Sequence, residues 1–263
     1  MREERRLVLG KRYIGAVAIM LIVFSGYAAL DWVFVYWWDE AIRPSSLMQI
    51  LGGIYFGGIM ILLPLCASLP AGIAQVEELQ SLFIDLRVIR IATKKYIMRI
   101  FSAAFLSGAA VMGTAFILHA IIWSILATPN DIALNDYLAA PYQPDCIYYT
   151  WQGICYSLPI YIWVAVMMSF CGGMWATVGL TAGLYLRDKL LALAVPFCIY
   201  YLWHFGLPKR LFGIQGFPHP ADLYNDALTI DVVYKSLLVY AGLGFICLLL
   251  YTVKLKRRYR IEG

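Results

Sequence analysis

Six apolar runs dominate the chain, at about 13–36, 47–71, 100–127, 158–186, 190–205 and 232–253, with short polar segments between them. A helix rises about 1.5 Å per residue and the hydrocarbon core of a bilayer is about 30 Å thick, so roughly 20 apolar residues cross it. All but the run at 190–205, which is short and carries Pro196, reach that length. The pattern predicts an all-α polytopic membrane protein with six transmembrane helices, residues 1–263 forming a single transmembrane domain.

The segment Gln75–Arg99, QVEELQSLFIDLRVIRIATKKYIMR, breaks this pattern. Val76, Leu79, Leu82, Phe83, Leu86 and Ile89 recur at steps of three and four, which makes one apolar stripe of a helix. Glu77 and Glu78 come early and Arg87, Arg90, Lys94, Lys95 and Arg99 late, the order a helix macrodipole favours. Ile84, Val88 and Ile91 fall off the stripe, so either a break into two short helices or a second buried face completes the pattern. Such a surface is covered by headgroups, as an interfacial helix, or by a cytoplasmic partner, as a docking helix.

Composition narrows the class. With 62% hydrophobic and 14% charged residues, the chain lies outside the range of soluble domains, where about a quarter of residues are charged. The net charge of +5 sits beside the apolar runs, which speaks against a nucleic-acid partner. Of the 21 Lys and Arg, 17 fall in four segments: residues 1–12, Arg87–Arg99, Arg187–Lys189 and Lys254–Arg260. The positive-inside rule places those segments, and both termini, on the cytoplasmic side. The first run is too long for a signal-peptide core and lacks a small-residue cleavage site, so it reads as a retained span.

The remaining segments fall outside. Trp32, Tyr36, Trp37 and Trp38 form an aromatic belt at the far end of the first span, with Asp31 just inside it, and Asp39, Glu40 and Arg43 follow in a short outer loop. In the second span Gly53 and Gly57 have the GxxxG spacing, and Pro64 and Pro70 bend the helix. Gly172, Gly173, Gly179, Ala182 and Gly183 give the fourth span a small face for close packing at a dimer or bundle interface. The loop 128–156 has no Lys or Arg and contains CIYYTWQGIC, so Cys146 and Cys155 are expected to pair as a disulfide, two free thiols being the alternative. Cys66, Cys171, Cys198 and Cys247 lie in apolar runs as small core residues. Gly206–Asp231 is too apolar for a plain loop and too rich in Gly and Pro for a span, which fits a re-entrant outer hairpin.

Catalytic signatures are missing. The sequence has no GxxxxGK[ST] phosphate loop, no HExxH or CxxC and no GxSxG. His119, His204 and His219 lie far apart, so no metal site is expected, and His119 reads as a hydrogen-bonded side chain near the outer interface. Glu77 and Glu78 begin an EExxxR-like pattern of membrane CAAX-type proteases, but Leu82 stands where Arg is needed. The spans hold almost no charge, so a relay of buried carboxylates lacks its residues.

The basic N-terminal segment, six spans, an acidic-to-basic segment closing in KKYIMR between spans two and three, and a broken apolar hairpin between spans five and six together resemble the permease subunit of an ABC-2 type transporter. The resemblance covers nearly the whole chain as architecture, without an invariant motif. It implies an export subunit with no enzymatic site of its own in a bacterial plasma membrane, working with a second permease copy or a related permease. A separate ATPase dimer would carry ATP and Mg, and the chain itself would bind no cofactor. The helix between spans two and three would be the coupling helix, with Glu77, Glu78, Leu82, Phe83, Asp85, Arg87 and Arg90 meeting the ATPase. Spans two and five would line the path, the outer hairpin would close it, and the cysteine-bearing outer loop departs from the pattern as a cap or receptor surface. The family's substrates include drugs, antimicrobial peptides, lipids and polysaccharides, and the uncharged interior favours a hydrophobic or amphipathic one. The alternative is a non-transporting immunity or sensor subunit that binds a peptide through its outer loops.

Overall fold

A computed structural model describes residues 10–38, 62–81, 93–126, 158–206 and 230–260. Six helices make up these residues: α1 (Lys11–Trp38), α2 (Leu62–Gln80), α3 (Thr93–Leu126), α4 (Leu158–Leu186), α5 (Lys189–His204) and α6 (Ile230–Arg260). Four of them, α1, α3, α4 and α6, are long and apolar enough to cross a membrane. The protein is an all-helical membrane protein. The stretches Ile100–Leu126 of α3, Leu158–Leu186 of α4 and Ser236–Val253 of α6 carry no Asp, Glu, Lys or Arg, and α1 carries Asp31 between its ends.

Helix α4 is the centre of the bundle, packing on α2, α3, α5 and α6. Its small residues explain how. A methyl group on Gly108 of α3 would strike the Gly172 carbonyl and Ala176 of α4, and one on Gly183 would meet the Gly72 carbonyl of α2 at 2.9 Å. Backbones this close exclude any side chain, and dispersion contacts between them replace the hydrophobic drive that lipid does not supply. The small face of the fourth span therefore serves the bundle itself. On the far side of α4, Trp175 meets Tyr200 and Trp203 of α5 and Tyr240 of α6 at ring separations of 5.6, 6.3 and 6.1 Å.

Three buried hydroxyls of α3 and α4 bond carbonyls of the preceding turn. Ser107 donates to the Ala104 carbonyl at 2.9 Å, Thr177 to Met174 at 2.7 Å and Thr181 to Thr177 at 2.8 Å. His119 is fully buried against Phe24 and shares a 3.1 Å hydrogen bond with Ser25, so it ties α3 to α1 in the interior of the bundle. Large apolar side chains face outward along the long helices, among them Ile22, Leu30, Ile125 and Phe245. A surface of this kind needs a bilayer to cover it.

Three sequence expectations change. The segment Gln75–Arg99 does not form one helix: Gln75–Gln80 completes α2 and Thr93–Arg99 opens α3, with 82–92 outside the described residues. Glu77 and Glu78 thus sit at a helix C-terminus, and Lys94 and Lys95 at an N-terminus, the reverse of the macrodipole order. That order is worth only about 0.3–1 kcal/mol per charge, less than partner contacts and membrane sidedness together. Cys198 is exposed, unlike buried Cys66, Cys171 and Cys247, because it shares an outward face of α5 with Tyr201 and Leu202. The disulfide expected of Cys146 and Cys155, the GxxxG of Gly53 and Gly57, and most of the Gly206–Asp231 hairpin lie outside the described residues.

Candidate functional site

The starts of α1, α3 and α5 and the ends of α2, α4 and α6 gather at one end of the bundle. Described Lys and Arg side chains other than Lys235 belong to this end: Lys11 and Arg12, Lys94, Lys95 and Arg99, Arg187 and Lys189, and the run from Lys254 to Arg260. Successive helices run in opposite directions.

The last turns of α2 are the hub of this end. One nitrogen of Arg12 of α1, Nη2, donates to both Glu77 carboxylate oxygens, at 2.6 and 2.7 Å, in charge-assisted hydrogen bonds. Lys189 of α5 adds a third contact to Glu77 at 2.8 Å. Tyr96 of α3 donates to Glu78 at 3.4 Å, and Tyr251 of α6 donates to the buried Gln75 at 3.1 Å. The Gln80 amide reaches the Arg187 carbonyl, just past the end of α4, at 3.5 Å. Two turns of one helix thus touch all five others.

These contacts set the charge states of the two acids. Hydrogen bonds from Arg12, then Lys189, hold the Glu77 carboxyl below its ordinary range. Burial dominates at Glu78 and pushes its carboxyl up, against the hydrogen bond from Tyr96. Adjacent acids of identical chemistry are therefore driven in opposite directions by their surroundings.

The inner turn between α4 and α5 is shaped by its own residues. Arg187 adopts a left-handed φ of 55° that ends α4, and Asp188 caps α5 by accepting from the Leu190 and Leu191 amides, both at 2.9 Å. This turn delivers Lys189 to Glu77.

Of the residues expected to meet a partner ATPase, Glu77 and Glu78 come together in the hub, engaged inside the chain. Leu82, Phe83, Asp85, Arg87 and Arg90 lie outside the described residues. Sequence reading missed Gln75, Tyr96 and Tyr251, whose only signal is polarity in otherwise apolar helices. Among the described residues no group of His, Cys, Asp and Glu side chains could hold a metal. The hub is a set of hydrogen bonds and ion pairs that joins helix ends. Neither a protein-family model, nor a curated protein, nor a solved structure matches the chain.

Proposed function

We propose that this chain is the membrane-spanning permease subunit of an ATP-driven exporter of the ABC-2 type, moving a hydrophobic or amphipathic substrate out of the cell with energy from a separate ATPase. The observation that carries the reading is the hub. The two turns of α2 that hold all the other helices lead directly into residues 82–92, so a pull on that segment reaches the whole bundle through Glu77, Glu78 and Gln75. The crossing stretches Ile100–Leu126 of α3, Leu158–Leu186 of α4 and Ser236–Val253 of α6 carry no acid on which an ion gradient could act, which favours a helix end as the place where work enters.

In this reading the labour is divided. Glu77 and Glu78 hold the permease helices together, while Leu82, Phe83, Asp85, Arg87 and Arg90 face the ATPase. The ATPase dimer carries ATP and Mg, a second permease copy or a relative completes the pathway, and the assembly resides in a bacterial plasma membrane.

Affinity purification of the tagged full chain from its native membrane tests the proposal. Wild type should recover an ATPase, and D85K/R87E/R90E should lose it while melting at the wild-type temperature. Recovery of the chain with no ATPase overturns the permease reading, and binding of a peptide by that chain would establish the sensor or immunity role instead.

A further inference from the structure

A second feature of the basic end is independent of the hub. Between the last turns of α4 and α6 lies a pocket of about 320 Å³ whose walls fall into two chemical classes. Leu184, Tyr185 and Val253 make an apolar wall, and Arg187, Lys254, Arg257 and Arg258 bring four cations to the same space. Among the described residues no acidic side chain lines it.

The geometry is fixed by contacts between the two helices. The Tyr185 hydroxyl donates to the Leu250 carbonyl at 3.0 Å, tying α4 to α6, and Lys254 Nζ stands 5.0 Å from the centre of the Tyr185 ring. The left-handed backbone at Arg187 turns the chain at the pocket's edge. Helix dipoles do not account for so much charge. Each helix C-terminus carries about −0.5 of a charge, so the ends of α4 and α6 offset roughly one cation. Arg187, Lys254 and Arg257 exceed that offset beside an apolar wall.

We propose that this pocket is a phosphate-binding site filled by the headgroup of an anionic phospholipid. Lys254, Arg257, Arg258 and Arg187 contact the phosphate, and Leu184, Tyr185 and Val253 take the glycerol and first acyl carbons. Cationic side chains beside spanning helices attract anionic headgroups at about 1 kcal/mol each, and a walled pocket adds position to that attraction. The site does not depend on the transport proposal.

Native mass spectrometry of the full chain, purified in mild detergent and supplied with equal phosphatidylglycerol and phosphatidylcholine, tests it. Wild type should retain phosphatidylglycerol selectively. R187Q/R257Q removes two charges from the pocket and should weaken retention on the order of thirtyfold. K94Q/K95Q removes two exposed charges from the start of α3 and should retain lipid as wild type does. Melting temperatures of both variants establish that they fold, and V253E, which places a carboxylate among the cations, should also abolish retention. Equal loss in both double variants, or equal retention of both lipids, overturns the proposal. Binding of inorganic phosphate without retained lipid overturns the lipid assignment.

Discussion

Glu77 and Glu78 are neighbours in sequence, yet the bundle favours the charged form of one and the neutral form of the other. The folded Glu77 carboxyl titrates below its unfolded value of about 4.3, so its contribution is fully present above that pH and is lost as pH falls through the lower folded value. Glu78 titrates above it. Its folded state gains from protonation below about 4.3, and that gain is lost as pH rises through the raised folded value. E77Q should therefore melt lower than wild type at pH 7, and the gap should narrow as pH falls toward the lowered folded value. The Glu77 side chain is 40% exposed, so solvent screening limits the loss to about 1 kcal/mol, a few degrees in Tm. E78Q should melt at or above wild type at pH 7, because an amide accepts the Tyr96 hydrogen bond without the cost of a buried charge. Thermal unfolding in detergent across pH 4–8 measures both, and a lower melting temperature for E78Q at pH 7 would mean that the ionised form is the one the fold uses. None of this was legible in the sequence, where the two glutamates look alike. Arg12 lies 65 positions from Glu77, and Tyr251 lies 176 from Gln75.

At the scale of elements, what could be read was set by how uniform each segment is. The fourth span is apolar throughout, and its expected limits, 158–186, coincide with α4. The sixth was expected to stop near Val253 but continues to Arg260, because Lys and Arg are good helix formers and nothing in KLKRRYR ends a helix. The small residues of the fourth span identified a packing surface without naming its partner, and the glycine contacts assign it to α2 and α3. For the stretch Gln75–Arg99 periodicity left open one helix or a break into two, and α2 ends at Gln80 while α3 begins at Thr93. Helix approach gives the sharpest test here. G108A drives a methyl group into the Gly172 carbonyl, a backbone atom that cannot swing aside, and should cost about 1–3 kcal/mol. Gly242 on α6 has nothing within 4 Å of the same added methyl, so G242A should be neutral or gain up to about 1 kcal/mol from helix propensity. Melting temperatures of the pair in one detergent decide it, since equal effects would mean that α3 and α4 do not approach as described.

Across the whole molecule, alternate helix ends share one side. Contacts from Glu77 to Arg12 and Lys189, from Glu78 to Tyr96 and from Gln75 to Tyr251 bring α1, α2, α3, α5 and α6 together at the basic end, and Tyr185 adds α4 through Leu250. The ion pair of Lys235 with Asp231 lies at the start of α6, about 30 Å of helix away from that end. In a plasma membrane, a positive-inside arrangement puts the whole basic cluster in the cytoplasm and Lys235 outside. Single cysteines at Lys11, Lys94 and Lys256, all exposed, should resist a membrane-impermeant maleimide in intact cells and react after permeabilisation. A cysteine at Lys235, also exposed, should react in intact cells. Reaction of Lys94 and Lys256 positions from opposite sides would break the shared end, and with it the hub as a point of entry for mechanical work. If the three positions behave as one, the segment 82–92 is confined to the cytoplasm by the helices on either side of it, where an ATPase can reach it.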